Sequence, residues 1–142
     1  MTANGGSVKR RFEQAIDEFN RRLFFECHET LEEIWMDDPR PVEREFFQGI
    51  LQIAVGFYHL SGLNYVGARN LLNRGIQRVE KFYPERYGVN AAELAAAARR
   101  CLDEIERLGK GGLKRFDQSL IPTIRLGNLD ALENEWAQNA TQ

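Results

Sequence analysis

The segment FFECHETLEEIWM, residues 24–36, carries the most specific information about the fold and a site in this chain. At about 100° per residue, its apolar side chains share one face of a helix. His28 lies on that face, so we expect it to point toward the core between Phe24 and Trp35. The run DDPRP, residues 37–41, ends the helix because prolines cannot continue it.

Helical periodicity continues on both sides of this segment and predicts an all-α fold. The longest helix, residues 42–61, is apolar nearly all round and should be the central rod of a bundle. No alternation typical of strands competes with the helical pattern. The other predicted helices cover residues 7–20, 64–83 and 90–108.

Residues at the helix ends fit the expected caps and turns. Ser7, Asn64 and Asn90 are suited to cap the first, fourth and fifth helices. Asn20 and Gly62 are suited to the left-handed turn that ends a helix. The short link after residue 61 predicts that helices three and four form an antiparallel hairpin.

Length and patterning predict one compact domain in a chain of 142 residues. We expect a flexible N-terminus at residues 1–6 and a bundle of about five main helices at residues 7–112. Residues 113–142 should form a C-terminal arm, extended near residues 120–126. A short last helix at residues 128–137 would pack on the bundle through Leu129, Leu132 and Trp136.

Composition excludes several classes of function. The net charge of −2, with both signs interspersed, lacks the basic surface that nucleic-acid binding needs. The most apolar run, residues 46–60, is too short and too polar to span a membrane. Cys27 and Cys101 lie on apolar helix faces without the spacing of a redox or zinc motif, which is typical of a cytoplasmic protein.

A polar stripe runs along the otherwise apolar third helix. An unpaired buried amide costs about 1–3 kcal/mol, so a buried stripe needs partners. We expect those partners on the second helix, although the stripe could instead face water. Gly49 and Gly56 in the same helix predict close approach by a neighbouring helix or a ligand. The stripe consists of Glu45, Gln48, Gln52 and His59, and the expected partners are His28, Glu29 and Glu32.

These motifs together resemble a known family. Asn20, the pattern FFECHExxExxW at residues 24–35, FQGILQIA at residues 47–54 and the later Tyr58-His59 resemble the small all-helical family called domain of unknown function 309. The resemblance covers roughly residues 12–108. It implies a compact helical bundle and no established activity. Members of that family usually have a small residue at the position of Arg22.

The first functional hypothesis is a helical module that binds a small polar ligand or a partner protein. Its site would lie between the second and third helices, with aromatic walls from Phe24, Trp35, Phe47 and Tyr58. The predicted binding residues are His28, Glu29, Glu32, Trp35, Gln48, Gln52 and His59.

The second hypothesis is a metal-dependent hydrolase. The segment HETLE, residues 28–32, differs at one position from the zinc-protease pattern His-Glu-x-x-His. His28, Glu32 and His59 would hold a divalent metal such as Zn²⁺ or Fe²⁺, and Glu29 would be the catalytic base. Glu32 could equally be only a hydrogen-bond partner of His28.

The third hypothesis is a structural scaffold or a homo-oligomer. In that case the His–Glu–Gln network would fix the register of the helices. The aromatic content and the arm at residues 120–126 could mediate pairing with a second copy.

Overall fold

The computed structural model describes residues 8–38, 40–132 and 134–135, and these residues form an all-α bundle. The predicted fold class is confirmed, and no strand occurs in the described residues. None of the helices described is long and apolar enough to cross a membrane. Five helices make up the bundle: α1 (Val8–Asn20), α2 (Phe24–Asp37), α3 (Pro41–Ser61), α4 (Tyr65–Val79) and α5 (Ala91–Leu108).

Helix α3 is the centre of the bundle, as its apolar sequence predicts. It packs against α2 and α4, while α1 packs on α2 and α5 packs on α4. Ten of its twenty-one residues are buried. Phenylalanine rings from three helices contact one another in the core, mostly edge to face: Phe12, Phe19, Phe24, Phe46, Phe47 and Phe57.

Two of the predicted helix caps are confirmed. The side-chain oxygen of Asn64 accepts a hydrogen bond from the backbone N–H of Gly67 at 2.9 Å. That of Asn90 accepts one from the N–H of Glu93, also at 2.9 Å. Each bond satisfies a backbone donor that the first turn of a helix leaves free. Ser7 lies outside the described residues.

The two left-handed turns fall on other residues than predicted. Arg22, with φ of 67°, and Leu63, with φ of 59°, take the conformation expected at Asn20 and Gly62. Asn20 is instead the last residue of α1, and its amide holds the C-terminal arm. It donates to the carbonyl of Ile124 at 2.9 Å and accepts from the N–H of Ile124 at 2.7 Å.

The predicted extended arm is present at residues 121–129, where no helix or strand forms. Its Ile121 and Ile124 side chains are buried. The guanidinium of Arg22 donates to the carbonyls of Ile121 and Pro122, both at 2.8 Å. A small residue adopts a left-handed turn at less cost than arginine. At this position, therefore, the strain of Arg22 is offset by bonds that a small residue cannot make.

Residues 130–132 and 134–135 are helical, with Leu129 and Leu132 buried, in agreement with the predicted last helix. Trp136, its third predicted anchor, lies outside the described residues.

A buried ionic cluster, which the sequence analysis did not predict, joins the α2–α3 connection to the C-terminal helix. The Asp38 carboxylate accepts from the backbone N–H and guanidinium of Arg40 at 2.8–2.9 Å. Arg40 also donates to the Tyr87 hydroxyl at 3.0 Å, and that hydroxyl donates to Glu135 at 2.8 Å. Arg86 pairs with Glu43 and Glu135. Three distant parts of the chain, around residues 38–43, 86–87 and 135, therefore meet at one set of charges.

Candidate functional site

A small cavity opens between α2 and α3, and His28 and His59 both lie on its wall. Its volume is about 130 Å³, and its lining is almost entirely apolar. We call it the aromatic cavity. Its lining residues are Phe24, Phe25, His28, Val55, Tyr58 and His59.

Helical spacing brings these side chains together. Phe25 and His28 are one turn apart on α2, and their ring centroids lie 5.8 Å apart. Across the cavity, the rings of Phe25 and Tyr58 are 5.6 Å apart, and Tyr58 is 6.1 Å from His59. Phe25 and Tyr58 remain 47% and 46% exposed, although aromatic rings in a bundle are usually buried. They therefore present two free ring surfaces at the cavity mouth.

The hydrogen bonds around His59 define which of its ring nitrogens carries a proton. Because the Asn64 oxygen is held by the Gly67 N–H, the Asn64 amide group faces His59 Nδ1, at 3.3 Å. An amide N–H can only donate, so Nδ1 accepts in the neutral ring. The proton then sits on Nε2, and His59 has one N–H donor left for another group.

His28 contacts Glu32 only at long range. Its Nε2 is 3.9 Å from the Glu32 carboxylate, one turn along α2, and Glu32 is 49% exposed. This separation allows a weak ion pair when the imidazole is protonated, and it is too long for a hydrogen bond.

The prediction that the polar stripe of α3 pairs with residues of α2 is wrong for Gln52. Its side-chain oxygen accepts from Arg78 Nε of α4 at 3.0 Å, and Arg78 also pairs with Glu45 at 3.6 Å. Glu45 and Gln52 face α4, which Gly49 and Gly56 allow to approach α3 closely, whereas His59 of the same stripe lines the aromatic cavity. Gln48 is half-buried and does not line the aromatic cavity.

Glu29 and Trp35 also lie away from the cavity. Glu29 is exposed on α2, so its expected role as catalytic base has no geometric support. Trp35 is half-buried, and the Arg44 guanidinium stacks over its ring at 4.8 Å. Of the four predicted aromatic walls, Phe24 and Tyr58 line the cavity, whereas Phe47 is fully buried in the core.

The proposed metal ligands are not assembled as expected. Across residues 8–38, 40–132 and 134–135, no group of three or more His, Cys, Asp and Glu side chains is placed to hold a metal ion. Glu32 points outward from α2, and His59 Nδ1 faces the Asn64 amide. The i, i+4 spacing puts His28 and Glu32 on one side of α2, but only His28 lines the aromatic cavity with His59.

Phe25 and Val55 are the lining residues that the sequence analysis missed. The periodicity of α2 puts Phe25 off the main apolar face, where an aromatic residue is unusual. Large apolar side chains occur singly on most protein surfaces, so that position alone did not mark Phe25 as a lining residue.

Neither cysteine is suited to act as a nucleophile. Cys27 and Cys101 are both fully buried. Burial raises the pKa of the Cys27 thiol far above its ordinary value and raises the pKa of the Cys101 thiol to about 12. Thiolates are the reactive form, so both groups should be inert in the folded protein.

We therefore expect the native protein to resist 5,5′-dithiobis(2-nitrobenzoate) at neutral pH. Both thiols should react once guanidinium unfolds the chain, and absorbance of the released thiolate measures the count. Rapid reaction of one thiol in the native state would contradict the burial described for it.

Comparison with known proteins gives the same family that the sequence motifs suggested. The model of the family described as Domain of unknown function (DUF309) matches residues 12–71. The chain is also similar to the uncharacterized protein YpuF of Bacillus subtilis (strain 168), with 33% identity over 87 residues. That alignment covers 60% of this chain and 50% of YpuF, so the chain spans about half the length of this relative. The region matched by the family model contains α2, α3, the first half of α4 and all of the aromatic cavity. The resemblance seen in the motifs is thus confirmed: residues 12–71 match the DUF309 family.

Proposed function

We propose that this protein is a ligand-binding helical module whose site is the aromatic cavity. The observation that carries the proposal is a ring-lined concavity with two histidines on its wall. Small-molecule sites usually have this form, with a mostly apolar lining and a few polar groups that orient the ligand. Because the lining is almost entirely apolar, we propose a largely apolar ligand in place of the polar ligand that the sequence analysis expected.

The cavity dimensions define the class of ligand. Its volume of about 130 Å³ is close to the roughly 150 Å³ that accommodates one benzene molecule in an engineered protein cavity. Phe25 and Tyr58 offer ring surfaces for stacking, and almost none of the cavity lining is polar. The favoured ligand is a single aromatic ring, as a free molecule or as a side chain of a partner.

The test uses p-cresol, which has one ring and one hydroxyl, and follows the protein by ¹H–¹⁵N NMR. We expect saturable binding with a Kd of about 1 mM, as for a small fragment in a shallow site. Val55→Phe places a ring inside the cavity, so it should weaken binding about tenfold or more. Val66→Phe is the matched control, because Val66 is exposed on α4 and does not line the cavity.

Equal binding by the wild type and Val55→Phe, or no saturable binding at all, would refute this site. A peptide with one tyrosine is tested beside p-cresol, because the ring could come from a partner's side chain or from a free small molecule. Much tighter binding of the peptide would indicate a partner side chain. Tighter binding of the free phenol would indicate a small molecule.

A scaffold role makes the opposite prediction for His28→Ala. Because His28 is only partly buried and makes no short hydrogen bond with the residues that the structure describes, a binding module should keep its fold in this variant and lose affinity for the ring. A scaffold held together by His28 should instead lose stability, with no ligand affected. The two free, buried cysteines further support a cytoplasmic, reducing location.

A further inference from the structure

A larger groove lies on a different part of the surface, between α5 and the C-terminal arm. Its volume is about 580 Å³, which is within the usual range for small-molecule sites. It shares no residue with the aromatic cavity. The α5 side contributes Asn90, Glu93, Leu94, Ala97 and Arg100, and the arm contributes Pro122, Thr123, Ile124 and Arg125.

Both walls of this groove are held in place by the fold. On one side, α5 is a continuous helix capped by Asn90. On the other, the arm is bound by the Asn20 amide at Ile124 and by the Arg22 guanidinium at Ile121 and Pro122. A preformed groove spares a ligand the cost of ordering the protein.

The groove contains two arginines without an ionic partner among the residues that the structure describes. Arg100 and Arg125 are exposed, and neither makes an ion pair or a side-chain hydrogen bond within the described residues. Their neighbours on α5 differ, since Arg99 pairs with Glu80 at 3.0 Å and Arg107 pairs with Glu104 at 2.6 Å. The guanidinium groups of the groove are therefore available to an anion from solution.

The rest of the lining narrows the ligand class. Leu94 and Ala97 of α5, with Pro122 and Ile124 of the arm, supply an apolar surface. We propose that this groove binds a small organic anion, with Arg100 and Arg125 holding its carboxylate or phosphate and the apolar surface holding its body. Glu93, the acidic residue in the lining, disfavours a second anionic group next to it.

The proposal is tested with three probes that share one apolar body: n-butyl phosphate, butyrate and neutral n-butanol. None has a ring, so none reports on the aromatic cavity. By ¹H–¹⁵N NMR, we expect one of the two anions to shift the signals of residues 90–100 and 122–125, with affinity that falls as salt rises. The neutral alcohol should bind far more weakly. Preference for butyl phosphate identifies a phosphate ester, and preference for butyrate identifies a carboxylate.

The double variant Arg100→Gln/Arg125→Gln should bind the preferred anion about tenfold more weakly or worse, since charge-assisted hydrogen bonds are lost. Arg115→Gln is the matched control, because Arg115 is an exposed arginine outside the groove. Both arginines of the groove are exposed, so the double variant should fold, which its melting temperature checks. Undiminished binding by the folded double variant, equal binding of butanol, or no response to either anion overturns the proposal.

Discussion

Asp38→Ala is expected to destabilise the fold by about 3–5 kcal/mol, because it removes one partner of a buried ion pair. The Asp38 side chain is fully buried, and both its oxygens accept hydrogen bonds from Arg40. Burial alone lowers the pKa of Arg40, but its hydrogen bond and charge interaction with Asp38 raise that pKa above its ordinary value on balance. A guanidinium is not deprotonated in proteins, so the arginine stays charged in the variant and loses its principal counter-ion.

The measurement is the free energy of unfolding from guanidinium titration. Asp37→Ala is the matched control, since Asp37 is the preceding residue and pairs with Arg11 at the surface. Exposed pairs of this kind contribute about 0–1 kcal/mol. A double-mutant cycle with Arg40→Met should give a coupling free energy of about 0.5–3 kcal/mol. Equal losses in the Asp38 and Asp37 variants would contradict the role of the buried cluster.

The ionic cluster also shows where sequence reasoning stops. The run DDPRP identified residues 37–41 as a turn, and the structure forms a connection there. Its partners Tyr87 and Glu135, however, are about 50 and 100 residues further along the chain. No local periodicity relates residues so far apart, so the cluster depends on tertiary packing alone.

Helix periodicity predicted more of the fold, because it depends only on neighbouring residues. It placed the helices, the central position of α3 and the caps at Asn64 and Asn90. It also gave the correct angular position of Gln52 on α3. Periodicity does not state which helix faces that side, and Gln52 consequently received the wrong partner.

The candidate site was predictable to a similar extent. His28 and His59 are half-buried at the surface rather than in the core, but they lie on two helices that pack together, so their presence on one cavity wall follows from pattern and connectivity. Phe25 lies off the apolar face, and no pattern marks it as a lining residue. The arm–α5 groove depends on where Asn20 and Arg22 fasten the arm, which is again a tertiary contact.

Gly75→Val is expected to destabilise the bundle by about 3 kcal/mol, because it adds atoms where α3 and α4 are in backbone contact. A Cβ atom at Gly75 would lie 2.8 Å from the carbonyl oxygen of Gly49 and 2.8 Å from the backbone nitrogen of Ile53. Neither is a flexible side chain, so the two helices would have to move apart. That movement would also loosen the core along α3, the most buried helix of the fold.

For a chain of this length, about 3 kcal/mol corresponds to a fall in melting temperature of roughly 10 °C. Gly111→Val is the matched control, because a Cβ atom there has no neighbour within 4 Å and the backbone is not left-handed.

Valine has a higher helix propensity than glycine, so local propensity alone would make the Gly75 variant slightly more stable. The two effects have opposite signs, and the melting temperature decides between them. A large fall at Gly75 with little change at Gly111 means that backbone contact between α3 and α4 limits the size of this residue. An unchanged or raised melting temperature at Gly75 means that the two helices can separate at little cost, and that the polar contact of Gln52 with Arg78 does not depend on their close approach.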